Sequence, residues 1–426
     1  CKNFSRFEDQ FLSLYEKFNN KKKIINLLNY WTLNIGCIKK LYGKDGVLEF
    51  CRSNTENPHR FSFFYELENI EKINAIDNKK SNIFFYYLLK PFLKKIYVPG
   101  AKLNTPLDKL FNKLCDIYIR SIPCIENKKL KDDLFIFLTK LFGHTFDSEE
   151  LNAIKTKIPT IFFSRPINTL KKNKLQVEGS CASLLEFSGY EKILLLQKIF
   201  ISGYQHGGGY DIFSINYFSD YEKKLSDIFY GWGFSKENVR QTKFKKISNR
   251  ASNKMQRVLW IEDAKIPSFY FYMMPHHHYQ LVNQDSKNYI HQELTKKKIK
   301  YSSMSHPSSK SDLYRKYRSN DFNISEGGPS ETKILKDDIL IFDFSGSTLI
   351  HFAIENELIF YQIVSRFDYE NFTEIQKEFF SIQRKYNFGI FNDEVSKLSN
   401  SISKIKLESN YFLPKELIEF YENNFK

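Results

Sequence analysis

The residue best placed to do chemistry in this chain is Cys181. It follows Gly179 and Ser180 in LQVEGSCASLLEF (residues 175–187), where a strand-like approach meets a turn and an amphipathic helix begins. A thiol at a helix start faces unsatisfied amide N–H groups and the positive end of the helix dipole, and both favour the nucleophilic thiolate. Gln176 lies five positions upstream. A thiol nucleophile also needs an imidazole to take its proton and a carboxylate or amide to orient the ring. Of the nine histidines, His59 has the best setting. It opens a period-two apolar stretch and shares strand parity with Phe61 and Phe63, so it points where the core-facing side chains point. Asp77 closes the next strand, where a tight hairpin can bring it beside His59, and Asn78 is a second orienting group. Two rivals place the histidine after the cysteine: His278, heading YQLV with Asp285 or Asn288 nearby, and His206, before a glycine turn and Asp211. The plain alternative is a buried structural cysteine, since free Cys is among the most buried residue types.

Metal chemistry has weaker support. The run His276, His277 and His278 suggests an ion site, but neighbours on a strand alternate faces, so at most two could share one ion. The six cysteines form no CxxC pair and no Cys/His spacing suited to zinc. No metal and no cofactor is expected. Six cysteines in 426 residues make no disulfide scaffold, which favours a reducing compartment.

The composition bounds the rest. With 42% apolar and 27% charged residues a sizeable core is possible and global disorder is excluded. No run of 18 apolar residues occurs, so a helical membrane span is excluded. The first residues carry no apolar segment of signal-peptide type. A net charge of +15, clustered at Lys21–Lys23, Lys171–Lys174 and Lys297–Lys300, suits an anionic membrane surface or a solvated lysine-rich face. No aromatic-basic motif accompanies the lysines, so specific nucleic-acid binding is not expected.

The elements that must position these residues read as a mixed α+β chain. Helical spacing covers most of the first 50 residues, with Phe7, Phe11, Leu14 and Phe18 on one stripe, and returns over 106–142. Residues 59–77 read as a hairpin, TIFFS (160–164) as a short strand, and the run from Cys181 to about Ser202 as a long helix. RVLWIE (257–262) and SFYFYMM (268–274) read as strands. Residues 297–335 are polar and read as a linker, and the remainder as helical.

Two resemblances sharpen this reading. The order of a His-led strand (HRFSFFYEL), an acidic residue closing the next strand, then Gln before Cys (QVEGSC) is similar to the Ulp-like and YopJ-like cysteine proteases. It also resembles papain-like domains of secreted effectors in Legionella and related bacteria. The resemblance implies Cys181 as nucleophile, His59 as general base, Asp77 as its orienter, and Gln176 with the Cys181 N–H as oxyanion donors. It also allows acyl transfer through the same site. The second is DFSGSTLIHFAIEN (343–356), which resembles an ankyrin repeat: Asp343, Gly346, Thr348, His351 and Ala353 fall at the loop–helix junction, and residues 358–364 would supply the second helix. The alternative is a strand over 339–344 followed by an ordinary helix. His351 is structural on either reading.

Together the resemblances imply a papain-like or Ulp-like protease domain over 1–296, a linker over 297–335 and an ankyrin-like helical module over 336–426. The implied protein is a type IV secreted effector that acts in the host cytoplasm on a host protein, with an anionic membrane surface as a further partner. The competing class is a non-enzymatic scaffold.

Overall fold

From Lys21 onward apolar residues recur every three or four positions, and the first long element follows from that spacing. Helix α1 (Lys21–Arg52) buries Ile24, Leu27, Leu28, Trp31, Ile35 and Ile38 on one stripe. It kinks at Gly43, whose φ of 66° is open to a residue without Cβ. The computed structural model describes residues 12–53, 83–90, 93–99, 106–167, 174–205, 210–214, 217–231, 239–241, 257–261, 287–304, 324–325, 334–407 and 412–425. The chain divides into two compact units. The first comprises residues 1–206, 217–230 and 268–271, and the second 207–216, 231–267 and 272–426.

In the first unit, α2 (Ile83–Leu89) precedes β1 (Lys95–Tyr97). Three helices then return the chain to the sheet: α3 (Pro106–Ser121), α4 (Lys128–Phe142) and α5 (Ser148–Lys157). A reciprocal capping box starts α5: Glu150 N–H donates to Asp147 Oδ1 and Asp147 N–H to Glu150 Oε2. Strand β2 (Leu175–Gly179) lies parallel between β1 and β3 (Ile199–Tyr204). After β2 comes the single-turn helix α6 (Ala182–Leu185), and after β3 comes α7 (Tyr217–Leu225), which leads to β4 (Ile228–Gly231), again parallel. Two expectations are corrected. TIFFS is a 3-10 turn (Thr160–Phe163), and the expected long helix after Cys181 is α6, a second 3-10 turn (Tyr190–Leu195) and β3. Short apolar runs do not distinguish a buried strand from a buried helix, and here sheet pairing decides.

Strand β5 (Val239–Gln241) ends the five-stranded sheet, in the order β1-β2-β3-β4-β5. The second unit's own sheet has six parallel strands: β6 (Val258–Ile261), β7 (Ser302–Met304), β8 (Ile324–Ser325), β9 (Ile339–Phe342), β10 (Ile359–Val364) and β11 (Gly389–Phe391). Their spatial order is β11-β10-β9-β6-β7-β8. Numbered from β6, that is the 3-2-1-4-5-6 order of a doubly wound sheet, reversing between β6 and β9. Right-handed crossovers send the connections on the two sides of that reversal to opposite faces. The connections carry the helical residues 287–296, α8 (Thr348–Glu355), α9 (Arg366–Asn371) and α10 (Glu374–Lys385); α11 (Ser396–Leu407) and α12 (Lys415–Phe425) follow β11. Strands covered on both faces read as unbroken apolar runs, and VLWI and ILIF are buried at every position.

The register of the two central strands is pinned at their amino ends. Arg257, just before β6, donates from Nε to Asp338 Oδ1 (2.8 Å) and from Nη2 to Oδ2 (2.6 Å), just before β9. Val258 therefore stands opposite Ile339.

This sheet corrects the C-terminal reading. Residues 359–364, expected as the second ankyrin helix, are β10, held between β9 and β11. The segment is the weighed alternative, a strand followed by one helix, α8. Within the expected linker, β7 and β8 are strands of the sheet, and β6 from before it pairs with β9 from after it. One sheet therefore draws its strands from both sides of residues 297–335. The mixed helix and sheet content agrees with the α+β reading, and the described residues lend no support to a papain-like core or an ankyrin stack.

Candidate functional site

Cys181 stands at the carboxyl edge of the first unit's sheet, two residues beyond β2. Gly179 ends that strand with φ 144°, and a Cβ there would lie 2.4 Å from Val98 O. The glycine is required by close backbone approach: Ser180 N–H donates to Pro99 O (2.8 Å) and Val98 N–H to Glu178 O (2.8 Å). Cys181 itself is only 1% exposed. Its Sγ lies 3.1 Å from Ser226 Oγ, and Ser226 in turn donates to Glu222 O (2.9 Å). Glu222, fully buried, accepts from Ser180 Oγ (3.0 Å). Burial and the neighbouring Glu222 carboxylate push the thiol up to about 12. The short α6 does not offset desolvation, so the environment holds a protonated thiol.

Of the expected partners in the main reading, only Gln176 is among the described residues. His59, Asp77 and Asn78 lie outside the described residues, as do His206, His278 and Asp285. Gln176 is exposed near the amino end of β2, about 10 Å of strand rise before Gly179, while Cys181 beyond the strand's other end is buried. His351 is half-buried, with Nδ1 3.2 Å from Tyr421 Oη, and desolvation lowers its pKa to about 4. It is a neutral structural histidine. Among the described residues no group of three or more His, Cys, Asp or Glu side chains is arranged to hold a metal.

The second unit offers a different constellation. In an open parallel sheet, ligands bind outside the carboxyl ends of the strands, at the point where the order reverses. Here that point lies beyond Ile261 of β6 and Phe342 of β9, which stand opposite each other. The chain leaves β9 as Asp343-Phe344-Ser345-Gly346-Ser347 and enters α8 directly. Asp343 is buried, and its Oδ2 accepts from Trp260 Nε1 (3.0 Å) and faces Lys287 Nζ (3.5 Å). That ties β6, β9 and the helical residues 287–296 together at the reversal. Ser345 is 3% exposed, and its Oγ has no hydrogen-bond partner among the described residues. Ser347 caps α8, accepting from Leu349 N–H (3.4 Å), and the first turn of α8 carries no acidic residue. A loop whose one acid, Asp343, is paired with Lys287, a buried hydroxyl unsatisfied among the described residues, and the amino end of α8 suit an anionic ligand.

Sequence reasoning passed over this loop because its Asp, Gly and Thr were assigned to an ankyrin junction. The available signal was an apolar run, ILIF, ending in Asp and followed after Gly-Ser by a helix, which is the pattern of a strand–loop–helix unit.

Comparison with known proteins adds one finding. No curated protein and no solved structure matches the chain. Residues 192–348, less than half of the chain, match the model of a family described as LIC12162 family transferase. The matched stretch begins after His59, Asp77, Gln176 and Cys181, runs through the β6 and β9 strands, and ends at the first residue of α8.

Proposed function

We propose that the chain is a transferase that takes a nucleotide-activated donor at the carboxyl edge of the second unit's sheet. The observation that carries this reading is the 3-2-1-4-5-6 strand order with the Asp343–Ser347 loop at its reversal, inside the stretch similar to a transferase family. In this reading the donor's diphosphate lies against Ser345 Oγ and the amino end of α8. There the negative charge that develops on the leaving phosphate meets backbone N–H groups and the helix dipole. Asp343 positions: it fixes Trp260 and Lys287 beside the site. The residues after β6 (EDAKIP) contain no glycine, so the Gly-rich turn that cradles a dinucleotide is missing at its usual place. The phosphate contacts therefore fall to the loop after β9, and a redox dinucleotide is not the ligand.

The test is thermal stabilisation and calorimetric titration of the full chain with the four common nucleoside diphosphates. At least one is expected to raise the melting temperature, and Ser345→Ala is expected to weaken it severalfold while leaving the unliganded melting temperature unchanged, because that hydroxyl has no bond to lose. Absence of binding by all four, or a Ser345→Ala chain that binds as the parent does, overturns the proposal. A second transferase reading routes an acyl group through Cys181. The family match is compatible with it, but it requires the thiol to be accessible.

A further inference from the structure

At the opposite edge of the first unit's sheet, where its strands begin, the chain builds a basic pocket that no step above uses. Its volume is about 680 Å³. Six lysines line it: Lys21, Lys22 and Lys23 open α1, Lys174 immediately precedes β2, Lys198 immediately precedes β3, and Lys224 lies on α7 just before β4. The single acid in the lining is Asp227. It is already committed, with Oδ1 3.0 Å from Lys23 Nζ and Oδ2 accepting from Ile201 N–H (2.7 Å). The other five lysines form no ion pair among the described residues. The Nζ atoms of Lys174 and Lys224 lie over the rings of Phe200 and Tyr221, 4.3 and 4.8 Å from the centroids, contacts that orient the ammonium groups without neutralising their charge.

The backbone adds to the same field. Asn20 stands at the N-cap of α1 but does not cap it. Its Nδ2 donates instead to Leu194 O (3.1 Å) and Leu196 O (2.6 Å), and the first turn of α1 contains no acidic residue. The positive end of a long helix therefore opens among the lysines, with no acidic side chain in its first turn and no side-chain cap among the described residues. Crowding that many like charges around one concavity is unfavourable unless a counter-charge enters.

We infer that this pocket binds a ligand bearing two or more phosphate groups, separately from the donor site proposed in the second unit. The volume exceeds what one phosphate needs, and the lysines come from four elements around it. A soluble diphosphate or polyphosphate compound and a phosphate-bearing lipid headgroup share this chemistry.

The experiment uses the full chain and a Lys21→Gln/Lys22→Gln/Lys198→Gln variant. A Lys109→Gln/Lys128→Gln/Lys129→Gln variant makes the same charge change at exposed positions outside the pocket. Inorganic pyrophosphate is titrated calorimetrically at low and moderate salt, and vesicles of phosphatidylcholine with and without an anionic phospholipid are tested by co-sedimentation. The parent is expected to bind one or both probes with affinity that falls as salt rises. The pocket variant should bind at least tenfold more weakly, the control variant less than twofold so. Loss confined to pyrophosphate identifies a soluble ligand, and loss confined to anionic vesicles a lipid headgroup. Failure of the parent to bind either probe, or equal effects of the two variants, overturns the assignment.

Discussion

Alkylation of the native protein by iodoacetamide at about pH 8 separates a structural Cys181 from a catalytic one. The reacting species is the thiolate. With burial and Glu222 holding the thiol near 12 against an ordinary 9.0, its thiolate fraction falls roughly 1,000-fold. A more basic thiolate is intrinsically more nucleophilic, which returns about 20- to 30-fold over three pKa units. The net effect of charge is a reaction roughly 30- to 50-fold slower than that of an ordinary thiol. Access adds to this: at 1% exposure, Sγ against Ser226 reacts only when the segment opens. The partly exposed Cys37 is the natural internal comparison, and Cys51, half-buried and raised to about 11, should fall between them. Peptide mapping by mass spectrometry over a time course gives the individual rates, and the same course in guanidinium should bring the cysteines together. If native Cys181 labels as fast as it does in denaturant, the burial argument fails and the thiol route regains its footing.

Three other outcomes follow from the geometry. Gly179→Ala should cost about 2–4 kcal/mol in urea unfolding, because φ is 144° there and the new Cβ would meet Val98 O. An unchanged midpoint would mean the β1–β2 edge relaxes freely. His351 is held neutral, with a folded pKa near 4 against 6.5, so its contribution is complete above pH 6.5 and is lost as pH falls toward 4. That amounts to roughly 3 kcal/mol, and His351→Gln should flatten that part of the stability profile. Asp338→Ala, which leaves Arg257 and the Leu335 N–H without their acceptor, should lower stability by about 1–3 kcal/mol. It should also loosen the β6–β9 pair in amide exchange, and protection equal to the parent's would remove the registering role.

The fold was legible where the pattern was long. The stripe from Ile24 to Ile38 permits only a helix, and RVLWIE, rich in β-branched and apolar residues, reads as the strand it is. It became ambiguous where runs were short. Residues 358–364 contain LIFYQIV, apolar enough for the inner face of a helical hairpin or for a strand covered on both sides. Only pairing with residues 339–342 and 389–391, distant in sequence, decides between them. The same limit hid the strands within 297–335: β7 and β8 are short strands in a polar stretch, and nothing local to them announces a sheet.

The cysteine motif is built from residue types that serve two purposes. Gly179, Ser180 and Cys181 at a strand-to-helix junction look the same whether the glycine frees a nucleophile or lets β2 pass Val98 O. Spacing cannot tell these apart, because the difference lies in what packs against the sulfur: Ser226, Glu222 and Gly203, where a Cβ would come within 3.1 Å of Sγ. The loop after β9 is the converse. The chemistry proposed for it rests on backbone direction and on a hydroxyl that has no partner among the described residues at 3% exposure, neither of which is a property of residue type. What the sequence does carry there is order: an apolar strand, Asp, then Gly-Ser before a helix. That order acquires its meaning from the reversal of the sheet at β6 and β9, which places the carboxyl ends of two adjacent strands beside connections that leave on opposite faces. A cysteine buried against a glutamate has been withdrawn from solvent. A serine buried with no partner among the described residues, beside a helix amino end that carries no acid in its first turn, is left one hydrogen bond short, and in the proposed reading a phosphate oxygen is the acceptor that completes it.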